Sequence, residues 1–383
     1  ALDQIKIDVE SMCDAMAHGG PDDYGLAGID QYSVFGHRRL SIIDLSSAGH
    51  QPMNYEDLLI TYNGEIYNYQ ELKIELKTLG FAFKTETDTE VILVGFKAWG
   101  TDLFNKLDGM FAFALHHNTN KQTYLVRDQM GIKPLYYSVE GKKLIFSSEV
   151  KAFTKTSYSF TENNDWKTYF LAFGHLPHPF TTLNNVYSLS GGNFLTWDHA
   201  EHTHQISNYK FNSSNKTIFS ETEAKNQIKI GLKKAVEKHL ISDASIGVFL
   251  SGGIDSSILT LLANDKVGEN LNTLSINFAE EGFSEVKYQQ IISAQTLGKH
   301  CSYQITQHDF NEHFDNIMQA MDQPTNDGIN SWFVNKCAKE NGLKAVLSGI
   351  GADEIFGGYP SFKRMGLIKM LKKLPIFIIK LSA

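Results

Sequence analysis

The sequence contains little cysteine and no long hydrophobic run. Its three cysteines, Cys13, Cys301 and Cys337, have neither the spacing of paired half-cystines nor that of metal ligands. This excludes a disulfide scaffold and is typical of a reducing compartment, so we expect a cytoplasmic location. No stretch approaches the length of a membrane span, and residue 1 does not begin a signal-peptide pattern. The apolar segment 374–383 is short, and we interpret it as a packed or truncated helix.

An excess of positive charge is also absent. The chain has 35 Lys and Arg against 43 Asp and Glu, which gives a formal net charge of -8. Nucleic acid and anionic lipid therefore have no electrostatic reason to bind, and we expect neither nucleic acid nor a membrane as a partner. A length of 383 residues is sufficient for two or three domains, each with a hydrophobic core.

The hydrophobic pattern changes near the middle of the chain. Residues 1–195 contain many short strand-like runs joined by polar turns, which predicts a mainly β domain with a few helices. Residues 196–220 are polar and rich in Ser and Asn, which is typical of a linker or crossover. In residues 221–383 strands alternate with helices, and this alternation predicts a parallel sheet with helices on both faces.

Two helices are predicted within the first of these segments. Residues 7–17 have an apolar face that includes Cys13, so this cysteine is expected in a core. Residues 69–79 follow Asn68, which we expect to be the N-cap, with Glu71 completing a capping box.

The stretch GVFLSGGIDSSILT, residues 247–260, leaves an apolar strand through a turn with almost no side chains. Gly252 and Gly253 allow backbone N–H groups to approach an anion, and the next helix directs its positive N-terminus to the same point. Asp255 would repel phosphate unless a cation lay between them, which implies Mg²⁺. The pattern therefore favours a pyrophosphate site over a plain Gly-rich turn. It is not the GxxxxGK[ST] loop, because no lysine follows the glycines.

A second strand also ends in a Gly-rich turn. Residues 346–359, VLSGIGADEIFGGY, carry the acidic pair Asp353 and Glu354. Either carboxylate is a candidate to join Asp255 on Mg²⁺ if the two turns meet at one edge of the sheet. Taken alone, the segment is equally typical of a glycine-rich loop with solvated acids.

Together these motifs resemble the glutamine-hydrolysing asparagine synthetase family. SGGIDSS and LSGIGADEIFGGY resemble its synthetase half, and AHGGPDDYG, RRLSIIDLSSAGHQPM, YNGEIYNY, TDTEVIL, GMFAFAL and RDQMGIKPLYY resemble its glutaminase half, in the same order. The resemblance implies an α/β and α+β fold. An N-terminal-nucleophile hydrolase sandwich of αββα type would be followed by a doubly wound parallel-sheet ATP-pyrophosphatase domain.

The resemblance also implies a glutamine site. Arg39 would hold the α-carboxylate of glutamine, Asp88 would bind its α-ammonium, and the Asn63 side chain with the Gly64 N–H would form an oxyanion hole. From the residues alone, Asn63-Gly64 is also the usual dipeptide of a type I′ hairpin turn. The complete set implied for glutamine is Arg39, Leu40, Ile42, Asn63, Gly64, Glu65 and Asp88.

For the synthetase half the resemblance implies binding of ATP and Mg²⁺. The expected metal ligands are Asp255 and Asp353. The expected reaction converts aspartate, glutamine and ATP to asparagine, glutamate, AMP and pyrophosphate through an acyl-adenylate. The residues implied for ATP are Leu250, Ser251, Gly252, Gly253, Asp255, Ser256, Ser257, Ile276, Ser348 and Gly349.

Several positions depart from the family pattern. The family nucleophile is an N-terminal cysteine, whereas residue 1 is Ala, so we expect the glutaminase half to be inactive in the chain as given. Gly19 stands where the family usually carries an arginine, and because the sequence stops soon after Tyr359 we expect it to lack the helical segment that follows there in the family. Ile350 stands where asparagine-forming members carry an acidic residue.

These departures leave two alternatives open. One is a related amidotransferase or amide ligase that acts on another carboxylate, for which Ile350 is the argument. The other is a non-catalytic nucleotide-binding relative, which the retained Asp255 disfavours. A homodimer is an assembly that the sequence allows.

Overall fold

The computed structural model describes residues 2–30, 33–209, 217–278 and 284–371. The helix expected at 374–383 lies outside the described residues. No helix within these ranges is long and apolar enough to cross a membrane. The chain divides into two compact units, Ala1–Ser245 with Thr306–Ala345, and Ile246–Ile305 with Val346–Ala383. The division into domains 1–195 and 221–383 with a linker between them stays a prediction.

The first unit is built on antiparallel sheets. One sheet has two strands, β1 and β2; one has six, in the order β11-β10-β6-β5-β4-β3; and one has three, in the order β8-β7-β9. The strands are β1 (Asp23–Gly28), β2 (Val34–Arg39), β3 (Met53–Tyr55), β4 (Leu58–Ile66), β5 (Gly109–His117), β6 (Gln122–Arg127), β7 (Tyr136–Glu140), β8 (Lys143–Ser147), β9 (Tyr187–Ser188), β10 (Asn193–Asp198) and β11 (Thr203–Asn208).

The helices of the described chain are mostly short. Four segments are 3-10 helices: Ser47–Gly49, Gly100–Asn105, Val150–Lys155 and Gly268–Asn270. The α-helices are α1 (Leu2–Ala15), α2 (Tyr69–Thr78), α3 (Asp88–Trp99), α4 (Trp166–Phe173), α5 (Glu221–His239), α6 (Ile254–Val267), α7 (Val286–Ser293), α8 (Gln307–Ala320), α9 (Gly328–Glu340), α10 (Ala352–Phe356) and α11 (Pro360–Leu371).

The helices and sheets of the first unit pack in four layers. Helix α3 packs on β3 and β4, strand β4 also packs against β2 of the two-stranded sheet, and α1 covers β2. This helix, sheet, sheet, helix order is the predicted αββα sandwich. The expected fold class of this unit is confirmed.

Alternate residues of the central strands face different cores. Along β5, Phe111 and Phe113 pack in the core beneath α3, whereas Ala112 and Ala114 face the core between the sheets. Strand β4 divides in the same way, with Ile60 on one side and Leu59 on the other. Because both faces are buried, these strands are almost continuously hydrophobic, which explains GMFAFALHH.

Asn63 and Gly64 lie inside β4, opposite Ala112 and Phe111 of β5. The hairpin interpretation of this dipeptide is therefore wrong. Instead of a turn, Gly64 permits close pairing, since a Cβ atom there would lie 2.2 Å from the Met110 carbonyl oxygen.

Local expectations for the helices need two corrections. Helix α1 begins at Leu2 rather than near residue 7. Helix α2 begins after Asn68 as predicted, but its capping box is wrong, because the Asn68 side chain forms no cap hydrogen bond. Its amide instead donates to the Lys106 carbonyl at 2.9 Å and accepts the Asp108 N–H at 3.0 Å.

The first part of the expected linker is also ordered structure. Segment 196–220 contains the end of β10 and all of β11, which pair with each other from Asn193 and Asn208 to Asp198 and Thr203. Strand β11 is an edge strand with mostly exposed side chains, so its sequence is polar and resembles a linker.

The second unit has a sheet in the order β14-β13-β12-β15, with strands β12 (Ile246–Phe249), β13 (Asn272–Phe278), β14 (Lys299–Ile305) and β15 (Ala345–Leu347). The pairs β12–β13 and β13–β14 are parallel. Helix α6 follows β12 and packs on it. The parallel sheet predicted from the alternation of strands and helices is confirmed.

We predict opposite effects for two glycine substitutions. Gly64→Ala should lower the thermal midpoint of the first unit, because its new methyl group would meet backbone of β5 at 2.2 Å and overpacking costs roughly 1–3 kcal/mol. Gly231→Ala, inside α5 with no atom near its added Cβ, should stabilise by up to about 1 kcal/mol. Thermal unfolding followed by circular dichroism measures both, and an unchanged midpoint for Gly64→Ala would contradict the strand placement.

Candidate functional sites

One cavity of about 940 Å³ lies in the first unit, between β2, β4 and the start of α3. The residues predicted to bind glutamine come from separate parts of the sequence, yet every one of them lines this cavity. They are Arg39, Leu40, Ile42, Asn63, Gly64, Glu65 and Asp88. The structure thus brings the predicted set together, while the role of each residue stays a prediction.

Arg39 ends β2 and is buried. Its guanidinium donates to the carbonyl oxygens of Ser46 at 2.9 Å and Asp44 at 2.5 Å, and more weakly to Ile43 at 3.4 Å. We call residues 41–46 the arginine loop, because they fold around this side chain. The guanidinium has five N–H groups, so donors remain for a carboxylate in the cavity.

Gly49 allows Arg39 to take this position. A Cβ atom at residue 49 would lie 1.9 Å from the Arg39 Nη2 atom. A larger residue would therefore displace the guanidinium from the cavity wall. The sequence offers no separate signal for this dependence, because the contact joins a strand to a turn ten residues later.

Glu65 is the carboxylate that faces the cavity without a partner. It is 6% exposed, and its side chain makes no hydrogen bond or ion pair within the described ranges. Burial raises its pKa to about 7, and the nearby Asp88 adds to this effect while Lys133 opposes it. A buried acid without a partner is suited to bind a cationic group of a ligand.

Asp88, in contrast, accepts hydrogen bonds from other residues of the protein. Its Oδ2 atom accepts the Tyr62 hydroxyl at 2.7 Å and the Ile66 N–H at 3.1 Å. Burial raises the pKa of this carboxyl group in spite of these hydrogen bonds. Both donors flank residues 63–65 on β4, so Asp88 fixes the strand segment that carries Asn63 and Glu65.

Lys133 was missed by the sequence reasoning. It lines the cavity, and it is one of the charges that act on Glu65. Its loop is held by the buried Asp128, whose carboxylate accepts the N–H groups of Ile132 and Lys133, both at 2.9 Å. The motif RDQMGIKPLYY contains both residues, but their separation from Glu65 in sequence gives no sign that Lys133 lines the same cavity.

Cys13, the cysteine that lines this cavity, does not have the character of a nucleophile. Cys13 is buried beside Gly36, and burial raises the pKa of its thiol to about 11. The expectation that Cys13 lies in a core is confirmed. Cys337 is buried and Cys301 partly exposed, both in other parts of the chain.

In the second unit, the predicted phosphate loop joins β12 to α6. Gly252 has φ +96°, which other residues rarely adopt, and Gly253 is the N-cap of α6. The Ser251 and Ser256 hydroxyl groups lie 2.9 Å apart, and Ser257 donates to the Gly253 carbonyl at 2.7 Å. The predicted hydroxyl donors therefore fold the loop on itself, at the positive end of a helix.

The second Gly-rich turn packs against this loop. A Cβ atom at Gly349 would lie 3.3 Å from the Asp255 Cβ and 3.3 Å from the Ser256 nitrogen. Asp255 makes no hydrogen bond or ion pair within the described part of the chain. The two loops meet at the carboxyl ends of neighbouring strands, as the motifs predicted.

The carboxylates only partly fit a metal site. Asp255 has free oxygen ligands, whereas Asp353 lies against Gly358 and Glu354 accepts the Tyr359 hydroxyl at 3.0 Å. Among the described residues, no group of three or more His, Cys, Asp or Glu side chains has the geometry of a metal site. Mg²⁺ commonly takes one or two carboxylates together with phosphate oxygens and water, and Asp255 fits that donor set.

The remaining residues predicted to bind ATP lie on or next to β12, β13 and β15. Leu250 is fully buried and Ile276 half-buried, while Ser348 is exposed and accepts the Ile350 N–H at 3.3 Å. Gln289, which the sequence reasoning missed, is buried and donates to the Ser251 carbonyl at 3.2 Å and the Ile276 carbonyl at 3.4 Å. It thereby joins the predicted phosphate loop to β13.

We predict that the thiols differ in reactivity. Iodoacetamide at about pH 8 should modify Cys301 first and leave Cys13 and Cys337 largely unreacted, because thiolate is the reacting form and both groups are buried. Peptide mapping by mass spectrometry of the native protein, with a denatured control, measures this order. Rapid labelling of Cys13 in the native protein would show that it is an accessible nucleophile.

Comparisons with known proteins match both halves of the chain to known domains. A sequence model of the glutamine amidotransferase domain matches residues 2–227, more than half of the chain, and one of asparagine synthase matches residues 227–380. A putative glutamine-hydrolysing asparagine synthetase 2 of Methanocaldococcus jannaschii is 33% identical over 98% of this chain and 76% of its own length. Asparagine synthetase 1 of Bacillus subtilis is 33% identical over 96% of this chain and 58% of its own.

One relative has a different name. Amidase chry2 of Gibberella zeae is 30% identical over 94% of this chain and 56% of its own length. The chain therefore spans little more than half of two of these three relatives. The resemblance seen in the sequence motifs is confirmed: the chain belongs to the glutamine-hydrolysing asparagine synthetase family.

Proposed function

We propose that the protein uses ATP to convert the side-chain carboxylate of aspartate to an amide, with glutamine as the nitrogen donor. The observation that carries this proposal is the meeting of the two Gly-rich loops, where Gly349 lies against Asp255 at the N-terminus of α6. ATP is the substrate suited to such a cradle, because backbone N–H groups and a helix N-terminus bind phosphate. The family membership supports the choice of acceptor and donor.

The proposed reaction has two steps. A carboxylate oxygen of aspartate attacks the α-phosphorus of ATP, which forms aspartyl-AMP and releases pyrophosphate. Ammonia then attacks the acyl carbon, which gives asparagine and AMP. In the first step Gly252, Gly253 and Ser256 would hold the leaving pyrophosphate. Mg²⁺ bound by Asp255 would neutralise charge on the phosphates.

The cavity of the first unit would supply the ammonia. We propose that Arg39 binds the α-carboxylate of glutamine, Glu65 and Asp88 its α-ammonium, and Asn63 with the Gly64 N–H the developing oxyanion. The Asn63 side chain lines the cavity and has no hydrogen bond within the described ranges, so its amide is free to donate. The nucleophile itself is not among the described residues.

Formation of asparagine is the direct test. The protein with aspartate, ammonium and ATP should release AMP, pyrophosphate and asparagine in equal amounts, which chromatography and mass spectrometry measure. Pyrophosphate release that ignores aspartate but depends on another carboxylic acid would overturn the assignment of the acceptor. Absence of ATP binding would overturn the proposal as a whole.

A second candidate is an amide ligase with a different carboxylate acceptor. Ile350, 83% exposed, occupies the turn between Gly349 and Gly351, where an acidic residue was expected. An apolar side chain cannot bind the ammonium group of aspartate as an acid would. The relative that is named an amidase is a further reason to test other acceptors.

The cellular setting is part of the proposal. The described cysteines form no disulfide, which supports a reducing cytoplasmic compartment. A homodimer stays a prediction.

We predict that Asp255→Asn lowers pyrophosphate formation by roughly two orders of magnitude or more, because the amide keeps the shape but loses the charge that binds Mg²⁺. The rate is followed with a coupled pyrophosphate assay at several Mg²⁺ concentrations. Asp265→Asn, an exposed substitution near the other end of α6, is the matched control and should react at the normal rate. A normal rate for Asp255→Asn would show that this carboxylate does not bind the metal.

We also predict that glutamine binding depends on the ionisation of Glu65. Its pKa is raised to about 7, so lowering the pH through that value neutralises the carboxylate and removes the partner of the α-ammonium. The Kd for glutamine, measured by calorimetry, should rise roughly tenfold for each pH unit below the pKa.

Glu65→Gln should bind glutamine weakly at every pH and lose this dependence. Glu71→Gln, an exposed change on α2, should behave as the unmodified protein does. If Glu65→Gln retained the original pH profile, another group would be responsible for it.

A further inference from the structure

The arginine loop, residues 41–46, depends on contacts that come from far along the chain. Arg39 contacts the loop from Ile43 to Ser46, which leaves its beginning, Ser41 and Ile42, to be held by other groups. Asp44, in the middle, has φ +53°, a left-handed conformation that is unfavourable for a residue other than glycine. Such a conformation persists only where surrounding groups hold it.

Asp243 supplies one of these holding contacts. Its carboxylate accepts the Asp44 N–H at 2.8 Å, and its own backbone N–H donates to the Ile42 carbonyl at 3.0 Å. The two hydrogen bonds form a reciprocal pair across a separation of about 200 residues. They hold the loop at the two positions that flank residue 43, where the Arg39 guanidinium also binds.

Lys344 fixes the beginning of the loop through Asp22. The Lys344 ammonium lies 2.6 Å from Asp22 Oδ2, and the same oxygen accepts the Ser41 N–H at 2.8 Å. Burial opposes ionisation of Asp22, but the hydrogen bonds from Lys344 and Ser41 outweigh it and lower its pKa. The Lys344 backbone N–H also donates to the Ser245 carbonyl at 3.1 Å, which joins the Lys344 and Asp243 segments.

Both residues lie outside the part of the chain that matches the glutamine amidotransferase domain, residues 2–227. In the sequence, Asp243 lies three residues before β12 and Lys344 directly before β15. These are the strands that lead into the two Gly-rich loops. Asp243, Lys344 and the arginine loop all belong to the first compact unit.

We propose that Asp243 and Lys344 are positioning residues of the glutamine site, provided by the second half of the sequence. The inference rests on the proposed function of Arg39. Both residues act through the arginine loop, which sets the place of the guanidinium before glutamine binds. A site held in its binding geometry avoids the ordering cost that a mobile loop would add.

Glutamine binding to the 383-residue chain, measured by calorimetry, tests the proposal. Asp243→Ala should raise the Kd for glutamine about tenfold. Asp243→Asn should restore most of the affinity, because its amide oxygen still accepts the Asp44 N–H. Asp198→Ala is the matched control, since Asp198 also accepts backbone N–H groups at 2.8 and 3.0 Å but from Ala200 and Glu201 rather than from the arginine loop, and the affinity of this variant should be unchanged.

A double substitution separates positioning from general stability. If Asp243 acts through Arg39, then adding Asp243→Ala to Arg39→Ala should cause no further loss of affinity. If the double variant instead shows the product of the two separate losses of affinity, the substitutions act independently and the positioning role is wrong. Lys344→Met should raise the Kd by a smaller factor, and it tests the proposal even if Asp243→Ala fails to fold.

The outcomes also separate this inference from the proposed function. If the unmodified protein does not bind glutamine at all, the proposed glutamine site and the positioning role are both wrong. If it binds glutamine and Asp243→Ala and Lys344→Met bind equally well, only the positioning role is wrong.

Discussion

The antiparallel pairing of β4 with β5 is the constraint on which the first unit depends. Both strands are buried on both faces, so each residue must fit a core on one side or the other. At Gly64 the two backbones approach so closely that a single added carbon would meet the Met110 carbonyl. This close approach places the Gly64 N–H and the neighbouring Asn63 and Glu65 side chains at fixed positions on the cavity wall. The chemistry assigned to the cavity therefore follows from strand packing rather than from a mobile loop.

The buried carboxylates around this pair of strands have two different roles. Asp88 and Asp128 accept backbone N–H groups, and so they hold the segments that carry Glu65 and Lys133. Glu65 has no such donors, and its raised pKa records the cost of burying a charge without a partner. Asp88 and Asp128 thus hold the cavity wall in place, and Glu65 is the acid among these three that has no hydrogen-bond donor. The charge of Glu65 therefore marks one side of the cavity, where a cationic group of a ligand would be oriented.

The sequence indicates which residues meet on one cavity, but it does not indicate the contacts that surround them. The motifs identify Arg39, Asn63 and Asp88 as members of one site, and the structure places them on one cavity. The hairpin at Asn63-Gly64 was wrong because a dipeptide preference is local, whereas buried neighbours on both sides favour a continuous strand. The roles of Gly49 and Gln289 could not be predicted, because each arises from a contact between segments that only the fold brings together.

The end of a domain match in sequence need not be the end of the residues that form a site. A domain match ends where the similarity of consecutive residues ends, but a loop is held by whatever packs on it. The arginine loop lies within the matched amidotransferase region, yet its left-handed residue Asp44 is held by Asp243, beyond that region. A fragment that ended at residue 227 would keep Arg39 and lose the groups that hold its loop. The proposed glutamine site should therefore be regarded as a product of the whole first unit, including its segments near Asp243 and Lys344.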